Sequence, residues 1–127
     1  FTEAKLGLIP ATISPYVLAR MGEGRARRVF MSARLFGAEE AVDLGLLAKA
    51  VQAEELEAAI AAEVTPYLAC SPAAVAASKA LARSLGPVID DAMLQETARR
   101  LADTWETADA REGVGAFFDK RAAAFAG

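Results

Sequence analysis

Leu56, Ile60, Val64 and Leu68 stand four residues apart, and Leu94, Ala98, Leu101, Trp105 and Ala108 continue the same rhythm further on. That period places each set on one face of a helix and commits much of the chain to α structure. Local punctuation divides the rest. Ser14-Pro15 and Ser71-Pro72 each offer a hydroxyl cap followed by a proline in the first turn, a combination that opens helices. Gly22 and Gly24, Phe36-Gly37, Gly45 and Gly86-Pro87 close them. The spacing predicts helices over 14–21, 25–33, 38–43, about 56–68, 72–85, about 88–108 and 112–124. Leu46–Val51 reads as a short apolar strand or an extended arm. The expected chain is therefore mainly α, with at most two short strands.

One segment carries a chemical signal. In Glu3-Ala-Lys-Leu-Gly-Leu-Ile-Pro-Ala-Thr-Ile-Ser-Pro, a carboxylate precedes a glycine, two aliphatics, a proline and a helix start. Leu6, Leu8 and Ile9 suit a buried loop better than an exposed one, so Glu3 is expected beside buried chain. A carboxylate in such a place can take or give a proton, while free N–H groups at a helix start can hold water or an anionic oxygen. Lying two residues from Phe1, Glu3 is also expected to be weakly held unless upstream strands pack against it.

Composition narrows the chemistry. With 127 residues the chain suits one small domain with a core. Its net charge of −3 leaves no basic excess for nucleic acid. There is no histidine and one cysteine, Cys70, so the chain can build neither an internal disulfide nor a histidine-assisted nucleophile, and a transition-metal site is not expected. Carboxylates must carry any proton transfer. No apolar run approaches the roughly 20 residues of a membrane-spanning helix. Arg25, Arg27, Arg28 and Arg34 read as a solvated helix face, and Trp105 as a core or oligomer contact.

Three segments in order resemble signatures of the enoyl-CoA hydratase/isomerase (crotonase) family. They are Glu3…Gly7-Leu-Ile-Pro10, then Phe36-Gly-Ala-Glu-Glu-Ala-Val-Asp-Leu-Gly-Leu47, then Glu112-Gly-Val-Gly-Ala-Phe-Phe-Asp-Lys-Arg121. Together they span the chain at spacings that fit the second half of that family's domain. The resemblance implies an α/β fold of the ClpP/crotonase spiral type, of which this chain would be the mostly helical C-terminal half. Residues 1 to about 52 would form the tail of the core, and about 53–127 the helical trimerisation region.

By the same resemblance, Glu3 matches a glutamate general acid/base, and the backbone N–H of Ala11 matches one that helps hold the catalytic water. Ala11 stands where glycine is usual, and the run Ala11-Thr-Ile-Ser-Pro15 looks like the methylglutaconyl-CoA hydratase branch. Phe117, Phe118, Lys120 and Arg121 read equally as an ordinary amphipathic terminus; by the resemblance, Phe117 and Lys120 would help bind the adenine and phosphate portion of coenzyme A, often that of a neighbouring subunit. The implied reaction is hydration of an α,β-unsaturated acyl-CoA thioester, with coenzyme A present only as part of the substrate, no separate cofactor and no metal. A cytoplasmic homotrimer or dimer of trimers, without nucleic-acid or membrane partners, is the implied setting. The family's oxyanion hole and second glutamate belong to its first half, so residues 1–127 alone are expected to be inactive. Isomerisation or decarboxylation on the same scaffold, and a non-catalytic helical assembly module, are the alternatives.

Overall fold

A computed structural model describes all residues 1–127. The chain opens with a 3₁₀ turn, Glu3–Leu6, followed by α1 (Ser14–Met21), α2 (Glu23–Phe30) and α3 (Ala38–Asp43). After an extended stretch come α4 (Leu56–Val64), α5 (Pro72–Ser84), α6 (Asp91–Trp105) and α7 (Ala108–Phe118), with 3₁₀ turns flanking α4 at Ala53–Glu55 and Thr65–Ala69. Helices and turns account for all regular structure and there is no β-strand. The α/β character expected of the whole fold is not carried by these residues. No single helix is long and apolar enough to cross a membrane.

The strand alternative for Leu46–Val51 is corrected to the arm. The amides of Leu46 and Leu47 both donate to the Ala41 carbonyl, at 2.9 and 3.1 Å, and so wrap the end of α3 instead of facing a neighbouring strand. Ser14 is not an N-cap either. It lies inside α1, and its hydroxyl donates back to the Pro10 carbonyl. The expected helix over 88–108 ends early, at Trp105, and the next begins early because Thr107 caps it: its Oγ1 accepts from the Ala110 amide at 3.1 Å and opens α7 four residues before the expected Glu112. Asp90 starts α6 in the same way, accepting from the Met93 amide at 2.9 Å. Side-chain oxygens at helix starts satisfy donors that otherwise have no partner.

The core is small and lopsided. Val17, Met21, Val29 and Leu44 form its centre, with Phe1, Phe30, Phe36 and Leu46 packed around them. Phe1 meets Phe30 edge-on at 5.1 Å between ring centres. The first residue thus packs its ring against α2. Arg34 also leaves the expected basic face: half-buried, it makes a two-pronged pair with Glu40 and holds the loop between α2 and α3.

Only 14 residues are buried, and none lies between 45 and 109. Helices α4 to α6 therefore have no core of their own. The chain exposes 9245 Å², whereas a compact monomer of 13.3 kDa exposes roughly 6,500 Å². The excess is as large as the surface that sizeable protein interfaces bury. Leu56, Ile60, Val64, Leu68, Leu81, Leu85 and Trp105 all contribute to it.

Candidate active site

Glu3 sits at the start of the first 3₁₀ turn, and the backbone of that turn is fully tied. The Glu3 carbonyl accepts from the Leu8 amide at 3.0 Å, and Gly7 closes the turn at φ 71°. This is a Schellman closure, which favours glycine because the left-handed conformation crowds a side chain. The turn then rests on α7, backbone against backbone. A Cβ added to Gly7 would overlap the Asp109 carbonyl carbon, and one added to Gly113 would come within 2.5 Å of the Leu6 carbonyl carbon. Two glycines 106 positions apart in the sequence thus permit the approach that holds Glu3.

The Glu3 side chain is half-buried, and its Oε2 is buried without a hydrogen-bond partner. Buried polar atoms in folded proteins nearly always have partners, so an orphaned carboxylate oxygen marks a place where water or a ligand group belongs. Three carboxylates held below their ordinary range are paired with arginine: Glu40 with Arg34, Glu96 with Arg99 and Arg100, and Glu112 with Arg121. Glu3 stands apart from them as an acid left uncommitted.

Ala11 is buried, and its N–H donates to the Ile9 carbonyl at 2.8 Å. That donor is already engaged within its own loop. Beside it opens a cavity of about 420 Å³, lined by Ile9, Ala11, Ser14 and Leu18 on one side and by Met93, Thr97 and Arg100 of α6 on the other. The helical arm thus returns to the loop that follows Glu3, a proximity the helical spacing could not disclose.

At the other end of the Glu3 turn, Lys5 and Leu6 share a groove of about 160 Å³ with Gly113, Ala116, Phe117 and Arg121. Phe117 is 64% exposed and lies edge-on to Phe118 at 5.5 Å. Lys120 is exposed just beyond α7, with φ 54°. The structure therefore brings Phe117 to the flank of the Glu3 turn and leaves Lys120 on the adjoining surface. Sequence reasoning did not identify Gly113 and Glu112 as structural parts of this region, although both stand within the Glu112–Arg121 segment.

A family model described as enoyl-CoA hydratase/isomerase matches residues 1–127. The crotonyl-CoA hydratase of Syntrophomonas wolfei is 35% identical over 125 residues, covering 97% of this chain and 48% of that protein. Among solved structures, an enoyl-CoA hydratase from Mycobacterium avium matches with 33% identity and a TM-score of 0.75, over 97% of this chain and 48% of its own. One from Shewanella pealeana matches with 38% identity and a TM-score of 0.58, over 98% and 46% respectively. The chain spans about half the length of the curated relatives it matches.

Proposed function

The chain belongs to the enoyl-CoA hydratase/isomerase family, and on that premise we propose that it forms the C-terminal half of an enzyme that hydrates an α,β-unsaturated acyl-CoA thioester. In this reading Glu3 is a general acid/base. Its carboxylate accepts a proton from water as the water oxygen bonds to the β-carbon, and the carboxyl group so formed gives a proton to the α-carbon of the enolate. The intervening thioester enolate would be stabilised by donors outside these residues. Coenzyme A enters only as part of the substrate. The Ala11-Thr-Ile-Ser-Pro15 run supports a place near the methylglutaconyl-CoA hydratases.

The observation that carries the proposal is the orphaned, buried Oε2 of Glu3 on a turn fixed by backbone contact with α7. Such a carboxylate is pre-positioned, as acid–base catalysis requires. Ala11 can assist the water only by sharing its N–H with the Ile9 carbonyl in a three-centre bond, so we assign it the smaller part. Phe117 and Lys120 are assigned to the nucleotide end of the ester, with a point cation suited to phosphate. Residues from about 53 onward, with their uncovered apolar faces, are assigned to self-association as a trimer or dimer of trimers.

The test is Glu3→Gln in the full-length protein. Turnover of crotonyl-CoA should fall by a factor of about 10² or more, with ester binding nearly intact, because the swap keeps shape and removes proton exchange. Near-normal hydration would remove Glu3 from the reaction. Double-bond migration without incorporation of solvent oxygen would favour the isomerase reading.

A further inference from the structure

The turn that closes α7 repeats the closure that follows Glu3, with one difference. The Lys120 amide donates to the Phe117 carbonyl at 3.2 Å and the Arg121 amide to the Ala116 carbonyl at 3.0 Å, again a Schellman closure. Its left-handed residue is glycine at position 7 but lysine at 120. A non-glycine residue in that conformation is strained, and such strain persists where the surroundings impose it and a side chain is needed there.

Here the surroundings are a clasp. Arg121 places Nη1 and Nη2 on the two carboxylate oxygens of Glu112, at 2.5 and 3.0 Å, and the Ala124 amide donates to Glu112 Oε1 at 2.8 Å. Glu112, on α7, thus holds the chain that leaves the turn, at Arg121 and at Ala124. Two parallel contacts fix direction as well as distance. Phe117 and Lys120 lie inside the loop so closed, and both remain exposed.

We propose that Glu112 and Arg121 are a positioning pair that holds Lys120 and Phe117 toward the nucleotide end of the acyl-CoA. The proposal rests on the assignment of those two residues made above. The pair touches no reacting atom. It acts through the turn, keeping an exposed lysine in the left-handed conformation between Phe117 and Arg121, which line the groove at Lys5 and Leu6.

The full-length protein can be tested with two substrates, crotonyl-CoA and the crotonyl thioester of N-acetylcysteamine, which lacks the nucleotide. The ratio of their kcat/KM values reports nucleotide recognition and is insensitive to a general loss of active protein. Lys120→Ala should lower that ratio about tenfold, Glu112→Gln about fivefold, and the double variant no further than Lys120→Ala alone, as expected when one residue acts through another. Additive losses, or a Glu112→Gln effect equal on both substrates, would overturn the positioning role while leaving Lys120 in place. An unchanged ratio in Lys120→Ala would overturn the assignment of Lys120, and the pair with it. Should Glu112→Gln not fold, Arg121→Lys keeps the cation and loses the two-pronged contact; non-additivity with Lys120→Ala supports the pair, and additivity overturns it.

Discussion

Leu6 and Gly113 meet main chain to main chain: the space where a Cβ of residue 113 would sit is 2.5 Å from the Leu6 carbonyl carbon. The C-terminal helix therefore serves as the seat of the turn that carries Glu3. Gly113→Ala should force the two segments apart, at a cost of about 1–3 kcal/mol typical of overpacking. Because displacement of about 1 Å at a catalytic group can cost 10²-fold in rate, turnover should fall together with the thermal midpoint. Calorimetry and a hydration assay on the same preparation check both, and a variant normal in each would show that the contact does not seat Glu3.

Lys120→Gly separates strain from recognition. Relief of the left-handed conformation, about 1–3 kcal/mol, exceeds the added freedom of an unfolded glycine, about 0.5–1 kcal/mol. The thermal midpoint should hold or rise while the Kd for an acyl-CoA increases. A lower midpoint would contradict the reading of this turn as strained.

The Glu112 carboxyl is held down to about 2, first by its hydrogen bonds from Arg121 and then by the Ala124 amide. A folded-state value below the ordinary 4.5 means that the clasp contributes its full stabilisation above that pH and loses it as pH falls toward about 2. Amide exchange at Arg121 and Ala124, compared between wild type and Glu112→Gln at matched pH, should show protection that is Glu112-dependent at pH 5 and weakens on acidification through this window. Protection independent of Glu112 would remove the clasp from the turn.

The uncovered faces of α4 to α6 predict self-association of the full-length protein. Trp105 is 48% exposed and Leu85 80%, values unusual for residues that large and apolar unless something packs on them. Sedimentation at micromolar concentration should report a trimer or its multiple. A strict monomer would contradict it.

Residues 1–127 prepared alone should not hydrate crotonyl-CoA. On the proposed reading the enolate donors lie outside these residues, and loss of a single such donor costs about 3–4 kcal/mol. Activity of this piece by itself would overturn the divided site.

Much of the helical layout was legible in the amino-acid sequence because it depends on near neighbours. The spacing of Leu56, Ile60 and Val64, and the stops at Gly22, Gly45 and Gly86, gave the elements to within a few residues. The errors were local competitions that pattern alone does not arbitrate. Thr107 captured the Ala110 amide and moved the boundary between the last two helices toward the N-terminus. Ser14 turned back to Pro10 rather than capping forward. Glu3 was legible as a candidate through its motif, and Glu112–Arg121 as a segment, but not what either touches.

What the tertiary structure decided is the set of contacts between residues far apart in the chain. The seating of Leu6 on Gly113, the anchoring of Phe1 on Phe30 and the return of α6 to the loop at Ala11 depend on how helices pack. Helical periodicity records which face of a helix is apolar; it does not record which distant surface that face will meet. The orphaned oxygen of Glu3 is a product of that packing, since a carboxylate becomes buried and partnerless only when remote chain closes over it. Local hydrogen bonding and periodicity thus made the helices and offered the carboxylate, and long-range packing gave that carboxylate its place.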